Sequence, residues 1–167
     1  MIPLVILLAV FSLTLLLSKI LKKTYSSVAQ AGRIALCAML LFTGTSHFYL
    51  TQGMVLTLPD FLPAKAAWVY VTGMLEIVLG LGLLFPKFRK SSSLLLILFL
   101  IAVLPANVLA ALKHVDIPNA DFTGPGLSYL WFRVPLQLFF IGCVYVFGYR
   151  TNLQVRGRSV ESKLIFS

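Results

Sequence analysis

"YVTGMLEIVLGLGLLF", residues 70–85, is a run of sixteen residues that carries a single charge, Glu76. No basic residue stands within ten positions of it on either side. The composition around it decides what solvent such a run meets. Hydrophobic residues make up 59% of the 167 and charged ones 11%, where soluble domains carry about 45–50% apolar and about 25% charged residues. A chain this short cannot hide so much apolar surface in a water-soluble core, so bilayer is its natural solvent. Five apolar stretches stand out, at 2–20, 28–50, 66–85, 91–112 and 127–148. Each approaches the roughly 20 residues that cross about 30 Å of hydrocarbon at 1.5 Å per residue. Backbone groups in lipid must be satisfied within their own segment, which makes these stretches helices and the fold class all-α. The expected organisation is an N-terminal anchor helix over 1–23, a four-helix transmembrane domain over 24–149 and a basic tail over 150–167.

The net charge of +9 raises the question of nucleic acid, and its distribution answers it. Lys19, Lys22 and Lys23 follow the first span, Lys87, Arg89 and Lys90 fill the turn after the third, and Arg150, Arg156, Arg158 and Lys163 lie in the tail. Ten basic residues thus fall on one side, against Lys65 and Lys113 on the other. The positive-inside rule then predicts five spans with the N-terminus outside and the C-terminus cytoplasmic. Basic segments beside a membrane hold anionic lipid headgroups, so the lipid bilayer is the expected partner and nucleic acid is not. The first span lacks a basic segment before its apolar run, and "LSKILKKTYSS" is a poor cleavage site, so it reads as a retained anchor.

The other four spans each carry expensive polar groups: Arg33 and His47, Glu76, Asn107, and Arg133 with Gln137. Ionisable residues inside a membrane usually face the bundle interior and mark function. At 100° per residue, Arg33, Cys37, Leu40, Gly44 and His47 share one stripe, and Glu76 lies on a face with Thr72, Gly73 and Gly80. Asn107 sides with Ala110 and Ala111, just after Pro105, while Tyr129, Arg133, Gln137 and Phe140 form a stripe in the fifth span. Counted from the outer ends, His47 lies roughly 5 Å deep, Asn107 roughly 7 Å, Arg133 roughly 9 Å, and Glu76 and Gln137 roughly 15 Å. Arg133 therefore stands about one turn above Glu76, which predicts an ion pair between them; an unpaired carboxylate would take up a proton instead. Arg33, near the cytoplasmic end, reads as interfacial.

"TGTSHF" (43–48), "LPDFLP" (58–63), "GMLEIVLGLGLLFPKFRK" (73–90), "LIAVLPANVLAAL" (100–112) and "RVPLQ" (133–137) follow the order and spacing of DoxX-like integral membrane proteins. The resemblance covers about residues 28–148 and leaves the first span and the tail outside. It implies a four-helix transmembrane bundle of DoxX-like type, plus one extra N-terminal helix, in a bacterial plasma membrane. The family's recurrent polar residues match His47, Glu76, Asn107, Arg133 and Gln137. Some relatives resemble small subunits of thiosulfate:quinone oxidoreductases or membrane partners of redox enzymes. Others are similar to a receptor assembly factor, so the resemblance implies architecture more sharply than activity.

Three readings of the polar cluster stand open. It binds a quinone-like or other lipid-soluble molecule as part of a redox-associated accessory subunit with a redox-enzyme partner. It is structural, in an assembly factor. Or it serves a small-solute or proton carrier in which Glu76 titrates. A self-sufficient enzyme is not expected, since no phosphate loop, nucleophile elbow or haem motif is present. Cys37 and Cys143 form no CxxC, and His47 and His114 have no ligand spacing for a metal. The apolar connection "TQGMVLTLPDFLPAK" (51–65) reads as an interfacial cap over the outer mouth, and "KHVDIPNADFTGPG" (113–126) as ordinary polar loop. A capped polar pocket suits a quinone headgroup, which needs hydrogen bonds and an apolar slot for its tail.

Overall fold

A computed structural model of the chain describes residues 2–20 and 28–150. Lys22, Lys23 and the tail beyond Arg150 lie outside the described residues. The order is α1 (Ile2–Ile20), α2 (Val28–Tyr49), a short α3 (Thr51–Leu56), α4 (Lys65–Gly82) and α5 (Arg89–Leu112). A 3₁₀ turn (Gly126–Tyr129) then leads into α6 (Leu130–Cys143), which continues through a π-helical turn (Val144–Arg150). Among the described residues, five helical segments are long and apolar enough to cross a membrane: α1, α2, α4, α5 and the continuous stretch Gly126–Arg150. That is the build of an integral membrane protein.

α2 is the axis of the bundle. Its Ala31, Ala35, Leu36, Met39, Leu40 and Gly44 are buried, a helical repeat that meets α1 on one side and α4 on another. α1 buries Leu7 alone and turns Leu13, Leu16 and Leu17 outward, as a helix packed along one neighbour and otherwise facing lipid does. Leu36, Leu40, Leu79, Leu83, Leu96, Leu100, Phe140 and Val144 form the apolar core. On their helices these positions fall toward the end marked by Lys87, Arg89, Lys90 and Arg150. Among the buried polar side chains, Ser92 and Ser93 lie at that same basic end, while Glu76 and Gln137 lie farther from it.

Lipid tails are as apolar as leucine, so the helices are held by close packing and interhelical hydrogen bonds rather than by the hydrophobic effect. Small residues set the α2–α4 crossing: a Cβ on Gly44 would stand 2.8 Å from the Gly73 carbonyl oxygen, and one on Gly80 3.0 Å from the Leu40 Cβ. At the basic end, the Arg89 side chain donates to the Leu83 carbonyl at 3.3 Å, filling an acceptor that the end of α4 leaves open. Arg33 stays at the basic end of the bundle, where the sequence placed it. It is half-buried and turns inward, donating from Nη1 to the Phe147 carbonyl at 3.2 Å, because the π-helical turn brings that acceptor against α2.

Candidate functional site

The five polar residues expected to converge fall into separate clusters. Between α2 and α4, His47 Nε2 stands 3.7 Å from Glu76 Oε1. The other ring nitrogen, Nδ1, lies 3.0 Å from the Val69 carbonyl oxygen and 3.2 Å from the Thr72 hydroxyl. Glu76 is 8% exposed, and its Oε2 is buried without a hydrogen-bond partner. The sequence places Glu76 and His47 at different depths. The glycine crossing brings their side chains together.

Between α5 and α6, Arg133 Nη2 donates to Asn107 Oδ1 at 3.1 Å and Nη1 to the Tyr129 hydroxyl at 3.4 Å. Its guanidinium carbon stands 5.8 Å from the centre of the Tyr129 ring. These contacts correct the expected ion pair. Among the described residues, no carboxylate lies within 4.0 Å of Arg133. Tyr129, one turn before it along the chain, and Asn107 on α5 hold the guanidinium, although it stays within electrostatic range of Glu76. Gln137, one turn deeper, is buried and donates from Nε2 to the Leu100 carbonyl at 2.7 Å. That acceptor adjoins the Ile101 carbonyl, whose intrahelical donor Pro105 removes.

Arg133, Asn107 and Tyr129 line a cavity of about 40 Å³ with Ala110 and Ala111. A water molecule needs at least about 10–15 Å³, so the cavity has room for a few waters or the tip of a polar head. Val115, Ile117, Pro125 and Gly126 close its outer side. The roof is therefore the 113–126 connection, which is more structured than an ordinary polar loop. Asp116 and Asp121 exchange backbone hydrogen bonds of 2.9 and 3.3 Å, and Gly124 N–H donates to the His114 carbonyl at 2.7 Å. The Thr123 hydroxyl and N–H both donate to Asp121, which holds its carboxyl below the usual carboxylate range.

The 51–65 connection does not line this cavity. α3 lays Gly53 against the Ile117 carbonyl, so it supports the roof from outside. Behind it, Asp60 accepts from Lys65 at 2.8 Å and Lys113 at 3.0 Å, tying the start of α4 to the end of α5. Sequence reasoning missed the roof because Val115 and Ile117 sit among polar and turn residues with no helical period to mark them. A separate apolar groove of about 360 Å³ lies between Leu4 and Leu8 of α1 and Trp131, Phe132, Pro135, Leu136 and Phe139 of α6.

The chain belongs to a family described as Domain of unknown function (DUF8561), whose model matches residues 36–147. The matched region runs from α2 to the π-helical turn and includes both polar clusters; α1 lies before it. Comparison with curated proteins and with solved structures found no match.

Proposed function

We propose that this DUF8561 member is a redox-associated accessory subunit that binds the polar head of a quinone-like, lipid-soluble molecule at Arg133 and Asn107. The observation that carries the reading is Arg133 itself: a guanidinium in a membrane span, lining a cavity, with neutral partners on two of its five N–H donors. The remaining donors suit a carbonyl or phenolate oxygen. The apolar groove between α1 and α6, lined by Phe132 and Leu136 on another face of the helix that carries Arg133, offers a slot for a tail. A head larger than the cavity enters by displacing the 113–126 roof.

The DoxX-like kinship belongs to the same proposal, as do the redox-enzyme partner and the bacterial plasma membrane. The orientation is N-terminus outside and C-terminus cytoplasmic, supported by Lys87, Arg89, Lys90 and Arg150 at one end against Lys65 and Lys113 at the other. The assembly-factor reading has one observation in its favour, the tying of α6 to α5 through Gln137–Leu100 and Arg133–Asn107.

Thermal shifts separate the two. A short-chain benzoquinone at a hundredfold excess over its dissociation constant stabilises the wild type by about 2.7 kcal/mol through mass action. Asn107→Ala, folded, loses that shift, and His47→Ala, outside the cavity, keeps it. A wild type indifferent to the quinone, with a destabilised Asn107→Ala, supports the structural reading instead.

A further inference from the structure

We infer that Glu76 and His47 form a one-proton site inside the membrane, with a single proton held between Glu76 Oε1 and His47 Nε2. The argument starts from the far side of the imidazole. His47 Nδ1 stands 3.0 Å from the Val69 carbonyl oxygen, and a carbonyl oxygen only accepts, so Nδ1 carries a hydrogen. The Thr72 hydroxyl, 3.2 Å away, is compatible with this because it can accept as well. In a neutral imidazole, Nε2 is then a bare acceptor, and it is the nitrogen that faces Glu76 at 3.7 Å.

An ionised Glu76 is acceptor-only. Two lone pairs would face each other in a buried seam, and the orphaned Oε2 would leave part of a full charge unsolvated, which is costly. One proton on either partner removes the conflict. On Glu76, it gives a carboxylic acid whose O–H points to Nε2; on His47, it gives an imidazolium facing a carboxylate. The observed separation is longer than a formed hydrogen bond, so sharing the proton requires the two groups to approach more closely.

Among the described residues, the surroundings supply no competing titratable site; the Thr43 hydroxyl on α2 hydrogen-bonds to Glu76 but does not titrate. α3 brings no ionisable side chain to α4, and Arg89 and Lys90 of α5 lie at the opposite end of the bundle. From α6, Arg133 acts on Glu76 through space, so a carboxylate formed when the proton leaves has a cation near it. The seam can thus take up and release one proton at a fixed place in the outer half of the bundle. This inference rests on the α2–α4 geometry and holds whether or not Arg133 binds a ligand.

The test is spectroscopic and uses the full chain reconstituted in lipid at neutral pH. Infrared spectra of wild type and Glu76→Gln report the carboxyl, and ¹⁵N-histidine NMR of the wild type reports the His47 nitrogens without any substitution. A carboxylic-acid carbonyl band lost in Glu76→Gln, with Nδ1 protonated and Nε2 bare, upholds the shared proton. So does a carboxylate beside an imidazolium. A carboxylate beside a neutral imidazole, or an acid beside an imidazolium, overturns it.

Discussion

Gly44 and Gly73 meet where α2 crosses α4, and His47 and Glu76 face each other because of it: a Cβ on Gly73 would lie 2.6 Å from the His47 Cβ and 2.8 Å from the Gly44 carbonyl oxygen. Two residues that the depth count puts roughly 10 Å apart along the membrane normal become neighbours through a backbone contact that side chains would prevent. The crossing is therefore the first place to intervene.

Gly73→Ala forces the helices apart by the width of a methyl group against backbone, which cannot rotate away. Overpacking of this kind costs about 1–3 kcal/mol. Thermal unfolding in detergent checks it, and an unchanged melting temperature contradicts the tight crossing.

Coupling energies distinguish the observed partners of Arg133 from the expected one. Asn107→Ala and Arg133→Met remove two ends of one hydrogen bond, so a double-mutant cycle shows a coupling of about 0.5–3 kcal/mol. The cycle between Glu76→Gln and Arg133→Met is closer to additive, since no direct contact is lost. The reverse ranking contradicts the geometry.

Asp60 predicts the acid limb of the stability profile. Hydrogen bonds from Lys65 and Lys113 hold its carboxyl below the usual carboxylate range. A lowered folded pKa means the contribution is present above the unfolded value of about 3.9 and is lost as pH falls through the folded one. Wild type should lose more stability than Asp60→Asn as pH drops below about 4, with the two profiles parallel at neutral pH. The difference shrinks in high salt, because Asp60 is exposed. Parallel profiles through the acid range contradict the latch.

Gly126 predicts the fragility of the roof. Its φ of +67° lies in the left-handed region, with the His114 ring packed where a side chain would go. Gly126→Ala incurs about 1–2 kcal/mol of backbone strain and displaces His114. The same substitution at Gly142, where a Cβ meets nothing, has no comparable steric cost. Equal stability losses contradict the packing.

Much of the bundle was legible because membrane spans announce themselves by length and apolarity, and the helix boundaries shift by only a few residues. The stripes were legible too. Gly44 with His47, Gly73 with Glu76, and Asn107 with Ala110 and Ala111 each follow from helical period alone. Partner choice was not. Depth along the normal suggested Glu76 with Arg133, but the tilt and rotation set by Gly44 and Gly73 are not encoded in a residue count, and they gave Glu76 to His47. Asn107 and Tyr129 then satisfied Arg133. The cavity roof was hidden for a different reason: Val115 and Ile117 are buried by the local fold of the 113–126 connection, whose turns depend on His114, Ala120 and Gly126 adopting positive φ.

Direct titration of a short-chain benzoquinone into the purified wild type and into Arg133→Gln tests the central claim, that Arg133 anchors a lipid-soluble head. Removing the guanidinium donors that meet the head should weaken binding at least about tenfold, or about 1.4 kcal/mol, in a variant that remains folded. Equal affinity in the two proteins, or no binding by the wild type at any concentration reached, contradicts it.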